Sequence, residues 1–326
     1  MKKIVLGFAL GILLLAPCII TEAQQKKKVY RIGYLSHRSG VGPNQEALRQ
    51  GLRELGYIEG DNLVIEWQFT KGRLDLHPEA AAELVRLKLD CIVTSGLSPS
   101  RAAKQATSTI PIVMANVSDD PVRHGLIASL ARPGGNITGF TDIAPDLAGK
   151  RLELLKETVP SASRVAVLWS SASSVAHTQF KESATAAQFL RIDLQSLEVR
   201  GDEDANNSFR VAAKTGVQAL IVVTFGGMIN HRDRIVDLAV KNRLPAMYTG
   251  SQYVDVGGLM SYAPDGRARL RRVAVYVDKI LKGTMPADLP VEQPTKFEFV
   301  INLKTAQQIG LTIPPNVLTR ADRVIR

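Results

Sequence analysis

The sequence has little cysteine, with only Cys18 and Cys91 among its 326 residues. Cys18 lies in an apolar segment at the N-terminus, so the remainder of the chain holds a single thiol and cannot form an internal disulfide. Cys91 stands inside an apolar run, which favours a small buried side chain over a reactive thiol. Packing must therefore hold this fold together without covalent cross-links.

Long hydrophobic runs are also missing beyond residue 23, where nothing approaches the roughly 20 apolar residues of a membrane-spanning helix. The first 23 residues instead have the features of an export signal: charges at Lys2 and Lys3, an apolar core over 4–15 and a small-residue site ending at Ala23. We expect cleavage after Ala23, a polar linker over 24–28, and a periplasmic or otherwise extracytoplasmic mature protein. Lipidation at Cys18 is a weaker alternative, because the preceding proline fits such a site poorly.

Catalytic signatures are absent. There is no G-x-G-x-x-G after the first predicted strand, no P-loop, no G-x-S-x-G elbow and no H-E-x-x-H. The five histidines are dispersed and show no metal-ligand spacing. The sequence thus indicates a protein that is not an enzyme and needs neither cofactor nor metal. An exported α/β hydrolase remains an alternative, and it requires a hydroxyl nucleophile within about 3 Å of a histidine.

Acidic residues are fewer than basic ones, which gives a formal net charge of +10. The basic residues are scattered, and the one dense cluster falls on a predicted helix whose other side is apolar: Arg267, Arg269, Arg271 and Arg272. This pattern is typical of a solvated helix face. Together with export, it argues against nucleic acid as a partner.

The sequence does contain an internal repeat. Apolar runs that open with arginine occur at 31–36 and 164–169. Each is followed by an apolar strand, a helical stretch and a second apolar strand, at 90–96 with 110–114 in the first copy and at 219–226 with 244–248 in the second. Such a repeat predicts two similar units with a cleft between them.

Periodicity alternates between strand and helix throughout both copies, which predicts an α/β protein made of two doubly wound parallel-sheet lobes. We expect the helix over 267–281 to return to the first lobe and residues 297–301 to cross back to the second. The lobes then comprise 29–140 plus 264–290 and 141–263 plus 291–326, joined by a hinge of several crossings. Local signals predict a helix N-cap at Ser98, before Pro99, and a short helix over 127–131.

In open α/β sheets, ligands bind beyond the carboxyl ends of the strands. That rule predicts a ligand site built from loops that carry hydroxyls, glycines, a carboxylate and aromatic rings. The candidate residues are Ser36, His37, Ser95, Gly96, Ser98, Asn116 and Asp120 in the first lobe, and Trp169, Ser170, Thr224, Phe225 and Tyr248 in the second.

Two of these candidates have plainer alternatives. Asp120, or its neighbour Asp119, could cap the helix expected to follow it instead of touching ligand. Trp169 ends an apolar run and could belong to the core rather than stack on a ligand. The helix N-termini near Ser98 and Ser173 are suited to a carboxylate group.

The most distinctive stretch runs from Ser118-Asp119-Asp120-Pro121-Val122 to Ser129-Leu130-Ala131-Arg132-Pro133-Gly134-Gly135-Asn136-Ile137-Thr138-Gly139. It resembles the tryptophan/tyrosine-type substrate-binding proteins of ABC transporters, which have the type 1 periplasmic-binding-protein fold. The resemblance extends to Pro264-Asp265, and for that reason we add Asp265 to the candidate ligand-binding residues.

This resemblance implies a monomeric, hinged, non-catalytic receptor that closes over a small polar, amino-acid-like or aromatic solute and delivers it to an ABC permease in the membrane. A ligand-sensing partner of a membrane signalling receptor is the alternative with the same fold. One departure concerns the solute: Arg123 and His124 stand where the family usually has small residues. If they face the cleft, a smaller or more anionic solute is favoured.

Overall fold

The computed structural model describes residues 28–142, 147–171, 173–199, 202–224 and 226–326, so the predicted export signal lies outside the described residues. Two β-sheets, each covered by helices, form the protein. The expected α/β class with two parallel-sheet units is confirmed. Strands such as 91–95 and 219–222 are buried along their whole length, which explains their uninterrupted apolar sequences.

The first sheet has five parallel strands in the order β2-β1-β3-β4-β5. These strands are β1 (Tyr30–Ser36), β2 (Leu63–Phe69), β3 (Cys91–Ser95), β4 (Ile112–Asn116) and β5 (Ile137–Gly139). The helices that connect its first four strands are α1 (Pro43–Glu54), α2 (His77–Arg86) and α3 (Leu97–Ala106). The order reverses at β1, so the loops after β1 and β3 diverge and leave a crevice between them.

The second sheet has seven strands in the order β12-β11-β10-β9-β8-β6-β7, and only β10 and β11 pair antiparallel. Its strands are β6 (Arg164–Trp169), β7 (Asp193–Glu198), β8 (Ala219–Val222), β9 (Ala246–Tyr248), β10 (Met260–Pro264), β11 (Phe297–Asn302) and β12 (Arg323–Ile325). The helices of this part are α4 (Ala148–Thr158), α5 (Ser174–Leu190), α6 (Asp202–Lys214), α7 (Arg232–Lys241), α8 (Ser251–Val254), α10 (Leu303–Ile309) and α11 (Pro315–Leu318).

The long helix α9 (Gly266–Leu281) follows the second sheet in sequence but packs on the first, as expected for residues 267–281. Its apolar face, which includes Leu270 and Val273, shares a core with Leu48 and Leu52 of α1. Gly51 makes this approach possible: a Cβ there would lie 2.9 Å from the Cβ of Ala274. The two helices therefore meet closely at this glycine.

Three chain segments lie side by side where the two sheets are joined. Phe140 forms an isolated parallel bridge with Glu292, supported by a bond of 3.0 Å from Thr141 N to Glu292 O. Asp265 N donates to Lys296 O at 3.1 Å. The chain thus passes between the sheets after β5, before α9 and before β11, which makes the connection a three-stranded hinge.

Two local predictions were wrong. Helix α3 begins at Leu97, and its N-cap is Gly96 with φ of +108°, so Ser98 lies inside the first turn instead of capping it. Residues 127–131 form bends and irregular backbone rather than a short helix. Glycine or proline lies next to each segment, Gly96 before α3 and Pro133 after residues 127–131, and such residues favour turns over a continued helix.

The described part of the chain contains no helix that is both long enough and apolar enough to cross a bilayer. Within the same residues, no three side chains of His, Cys, Asp or Glu come together as a metal would require. Cys91 is fully buried and free, and burial raises the pKa of its thiol.

Candidate functional site

A cavity of about 670 Å³ lies between the two sheets, at the carboxyl ends of their parallel strands. Its walls include the loops after β1, β3 and β4 on one side and those after β6, β8 and β9 on the other. The volume falls in the range of small-molecule sites, roughly 300 to 1,000 Å³. We call this cavity the cleft.

The end of β3 and the start of α3 form the wall of the cleft on the side of the first sheet. Ser95 Oγ donates to Asn116 Oδ1 at 2.8 Å, which ties the ends of β3 and β4 together. Gly96 needs its positive φ, and a Cβ there would lie 3.3 Å from His37 Nδ1. The glycine therefore lets the imidazole of His37 pack directly against the start of the helix.

Ser98 connects the cleft to a buried histidine. Its Oγ lies 2.8 Å from His77 Nδ1, and His77 Nε2 lies 3.1 Å from Thr70 Oγ1. Burial lowers the pKa of His77, so the ring is neutral at pH 7. The hydrolase alternative required a hydroxyl within about 3 Å of a histidine, and Ser98 meets that distance. However, the other ring nitrogen of His77 contacts the hydroxyl of Thr70 and not the carboxylate that orients the histidine of a catalytic triad. The arrangement fixes the direction of the Ser98 hydroxyl without forming a triad.

On the side of the second sheet, hydroxyl groups again line the cleft. Ser173 caps α5 by accepting a hydrogen bond from Ala176 N at 3.2 Å. Thr249 Oγ1 donates to Thr224 Oγ1 at 2.8 Å and accepts from Thr224 N at 2.9 Å. These pairs hold the loop ends of neighbouring strands in register. Next to them the wall is apolar, formed in part by Val199, Met228, Ile229 and Ile235.

Arg151 enters the cleft from α4 and is only 1% exposed, which makes it the largest fully buried side chain described. Its Nε donates to Tyr262 O at 2.8 Å, and its Nη1 donates to Gln179 Oε1 at 3.3 Å. Burial lowers the pKa of this guanidinium to about 10, so it keeps its charge at neutral pH. A fixed cation therefore lies in the wall of the cleft.

Another arginine lies at the hinge. Arg269 of α9 donates to Asp142 at 2.6 Å between Nη1 and Oδ1, and both side chains are nearly buried. The residue belongs to the cluster predicted to be a solvated helix face. That prediction is wrong for Arg269 but correct for Arg267, Arg271 and Arg272, which are exposed.

The structure brings seven of the predicted ligand-binding residues to the cleft wall: His37, Ser95, Gly96, Ser98, Asn116, Ser170 and Thr224. Phe225 lies outside the described residues. The other five candidates are not part of the wall: Ser36, Asp120, Trp169, Tyr248 and Asp265.

Each of these five has another partner in the structure. The ring of Trp169 stacks on Phe180 with centroids 4.8 Å apart, and Tyr248 stacks on Tyr253 at 4.9 Å. The remaining three satisfy backbone donors: Ser36 Oγ accepts from Arg38 N at 3.2 Å, Asp120 Oδ1 from Val122 N at 2.9 Å, and Asp265 Oδ1 from Arg267 N at 3.0 Å.

Asp119, Arg123 and His124 form a separate cluster outside the cleft wall. Asp119 is buried, accepts from Arg123 Nη2 at 2.5 Å and lies 2.8 Å from His124 Nε2. The segment after Asp120 consists of turns, so neither aspartate caps a helix there. The two basic residues of this departure from the family pattern therefore bind a carboxylate of their own loop.

Several residues of the cleft wall were not predicted. Arg151 and Gln179 lie on helices, where sequence patterns give no sign of an inward-facing charge. Arg38 and Lys71 follow the ends of β1 and β2, so the rule that ligands bind beyond the carboxyl ends of strands could have found both.

Two α/β units with a shared cleft at their strand ends and a three-stranded hinge define a bilobal solute-binding protein. Comparison with known sequences specifies this class further. Residues 32–325 match the model of a family described as ABC transporter substrate binding protein. The chain therefore belongs to this family, whose members are extracytoplasmic and bind solutes without catalysing a reaction.

Individual relatives agree with this assignment. A tyrosine-binding protein of Clostridioides difficile (strain R20291) is 24% identical over 292 residues, which cover 89% of this chain and 83% of that protein. An ABC domain from Streptococcus pneumonia, solved in complex with L-Trp, is 27% identical with a TM-score of 0.82 and covers 91% of this chain and 100% of its own.

A conserved domain protein from Vibrio cholerae O1 biovar El Tor str. N16961 is 26% identical, also with a TM-score of 0.82, and the match covers 92% of this chain and 100% of that one. The predicted resemblance to substrate-binding proteins of ABC transporters is confirmed. So is the prediction that the chain acts as a solute-binding component of an importer rather than as an enzyme.

Proposed function

We propose that the two lobes close over a small carboxylate-bearing solute in the cleft and present it to an ABC permease, with aromatic amino acids as the first candidates. The observation that carries the proposal is the cleft itself, whose wall takes polar groups from the strand ends of both sheets. A solute bound by both walls stabilises the closed arrangement, because it loses half of its contacts when the lobes separate.

The choice of first candidates has two supports. The relatives include a tyrosine-binding protein and a domain solved with L-Trp. In this chain, hydroxyl and amide groups line both walls of the cleft, and the wall on the side of the second sheet also has an apolar part, an arrangement suited to a polar head group and an apolar side chain.

Titration of the mature protein with L-tyrosine, L-tryptophan and other amino acids tests this proposal. A solute present at about 100 times its Kd should add roughly 2.7 kcal/mol to the free energy of unfolding. Closure should also lower the radius of gyration measured by small-angle X-ray scattering. A complete absence of stabilisation across amino acids, organic acids and phosphate esters would contradict the proposal.

Two hydroxyl variants locate the binding site. Ser95→Ala and Thr224→Ala remove polar groups from opposite walls of the cleft, and each should weaken binding about 5- to 20-fold if a hydrogen bond to solute is lost. Ser161→Ala and Thr185→Ala are matched controls, because both residues are exposed outside the cleft wall. Equal affinities in all four variants would remove the cleft as the site.

The remaining parts of the proposal concern processing and assembly. We propose that the leader is cleaved after Ala23 and that the mature protein is a monomer that acts with its permease and not with nucleic acid. The charge, apolar core and small residues of the N-terminal segment support cleavage. Intact-mass measurement of the exported protein tests the cleavage position, and light scattering tests the monomer. A mass that retains residues 1–23 or a lipid on Cys18 would contradict cleavage at Ala23.

A further inference from the structure

The charge of the cleft wall is strongly one-sided. Among the described residues of the wall, a single carboxylate, that of Asp142, stands against seven Lys and Arg side chains. These cations are Arg38, Lys71, Arg73, Arg101, Arg151, Arg234 and Arg269. They come from both walls and from the hinge helix, so the positive charge surrounds the solute space rather than covering one edge.

Part of this charge has no carboxylate partner among the described residues. Arg269 pairs with Asp142 at 2.6 Å and Arg73 with Asp75 at 2.7 Å. Arg38, Lys71 and Arg234 form no ion pair with any described carboxylate. An α-carboxylate supplies one negative charge, and an amino acid carries its own ammonium group as well.

Arg38 shows the consequence most clearly. Burial lowers the pKa of its guanidinium, and the charges of Arg232 and Arg269 lower this pKa further, against the opposite effect of Tyr34 and Tyr253. Arg232 begins α7 beside the second sheet, whereas Arg38 follows β1 of the first. Arg38 and Arg234 bring like charges from the two lobes to the wall of the same cleft. The Nε atoms of Arg232 and Arg269 are buried without a hydrogen-bond partner among the described residues, although Arg232 Nε lies 3.8 Å from Asp233 Oδ2.

Mutual repulsion across a cleft opposes closure, and it is stronger where water is excluded. A solute with several anionic oxygens would offset it and would accept charge-assisted hydrogen bonds from guanidinium groups on both sides. A neutral or zwitterionic solute would leave the repulsion in place.

We propose that the solute of this protein is a small organic acid with at least two negative charges, a polycarboxylate or a phosphate monoester, held between the cations of the two lobes. This inference rests on the proposed function, since it names the class of solute that the cleft takes. It differs from the first candidates by the charge of the solute, not by the place where it binds.

Matched pairs of probes test this inference by isothermal titration calorimetry. O-phospho-L-tyrosine is compared with L-tyrosine, and succinate with succinamate, so that each pair differs mainly in anionic charge. We expect the more anionic member of at least one pair to bind about 10-fold or more tightly at low salt, with a ratio that declines as salt is added. The pair that discriminates distinguishes phosphate from carboxylate.

The outcomes separate the inference from the proposed function. If L-tyrosine or L-tryptophan binds as tightly as every dianion, with little effect of salt, the inference is wrong and the proposed function stands. If no dianion binds but an amino acid does, the same conclusion holds. If no probe of either kind binds, both fail.

Two charge variants complete the test. Arg38→Met and Arg234→Gln each remove one cation from opposite walls, and each should reduce the preference for the dianion at least 3-fold while the affinity for its less charged partner changes little. Arg271→Met, which removes an exposed cation from α9, is the control and should keep the preference. Circular dichroism melts identify any variant that fails to fold, and an unchanged preference in both folded cleft variants overturns the inference.

Discussion

The Oγ of Ser98 lies 2.8 Å from Nδ1 of His77, so a residue of the cleft wall contacts a histidine that begins α2 and is only 1% exposed. His77 reaches in turn to the buried hydroxyl of Thr70 at 3.1 Å. A chain of three polar groups thus leads from the solute space into the interior. The buried Thr70 hydroxyl can form hydrogen bonds only with protein groups, whereas the Ser98 hydroxyl at the cleft can also bond to water or solute.

We therefore expect unequal effects from removing the two ends of this contact. His77→Ala leaves the Thr70 hydroxyl buried without a partner and opens a cavity, which should lower the free energy of unfolding by about 2–4 kcal/mol. Ser98→Ala should cost less than about 1 kcal/mol, because cleft water replaces the hydroxyl. Urea titration of both variants measures the difference, and a larger loss in Ser98→Ala would contradict this account.

The contact of α1 with α9 at Gly51 gives a second prediction. Gly51→Ala places a Cβ 2.9 Å from that of Ala274 and should destabilise the protein by about 1–3 kcal/mol, despite the higher helix propensity of alanine. Gly149 of α4 is the matched control, because a Cβ there meets its nearest neighbour at an ordinary 3.6 Å. Gly149→Ala should stabilise by up to about 1 kcal/mol. Thermal melts of both variants distinguish packing from propensity, and the same sign in both would refute the argument.

The third prediction concerns pH. Burial lowers the pKa of His37 from 6.5 to about 3, and the neighbouring Arg38 adds to the effect. The unfolded chain therefore takes up a proton on this ring before the folded protein does. The stability linked to the neutral ring is complete above pH 6.5 and is lost as the pH falls toward 3, by up to about 1.4 kcal/mol per pH unit.

Chemical denaturation at several pH values between 6.5 and 4 measures this loss. His37→Asn should reduce the slope of unfolding free energy against pH by roughly 1 kcal/mol per unit. His177→Asn, which changes an exposed histidine of α5, is the matched control variant. Parallel slopes in the wild-type protein and in His37→Asn would show that the ring is not kept neutral.

Trp169 provides the fourth prediction. Its ring stacks on Phe180, and its Nε1 donates to Ser196 Oγ at 2.8 Å, so the side chain serves the core of the second sheet. Trp169→Phe should lower the free energy of unfolding by about 1–3 kcal/mol. Solute affinity, measured by calorimetry on the folded variant, should stay within a factor of about two. A loss of affinity of 10-fold or more in a fully folded variant would show that Trp169 contributes to solute binding.

The sequence predicted the position of the cleft because chain direction decides where the carboxyl ends of parallel strands lie. Ser95, Asn116 and Thr224 reach its wall for that reason. The aromatic residues at strand ends, Trp169 and Tyr248, pack into the core instead of facing the cleft. Tyr248 ends β9, but its side chain turns toward the helix layer and Tyr253, since an apolar ring gains more from packing there than from facing a polar cleft.

The cationic side of the cleft could not be predicted in the same way. Arg151 lies in a helix with ordinary amphipathic spacing, and only the packing of α4 against α5 and β10 turns it inward. Arg269 belongs to a run of arginines whose other members are exposed, and its difference arises from Asp142, 127 residues earlier in the chain. Such charges are placed by tertiary contacts between distant segments, which local patterns do not contain.

The packing of α9 on α1 also has a consequence for how an exported chain matures. The core around Leu48 and Leu52 stays open on one side until residues near 270–281 have been synthesised, because those residues supply its missing wall. Contacts between segments so far apart form slowly. The N-terminal half of a nascent chain therefore cannot complete a native core ahead of its C-terminal half, which favours a chain that is still unfolded when it is threaded across a membrane and that folds on the far side.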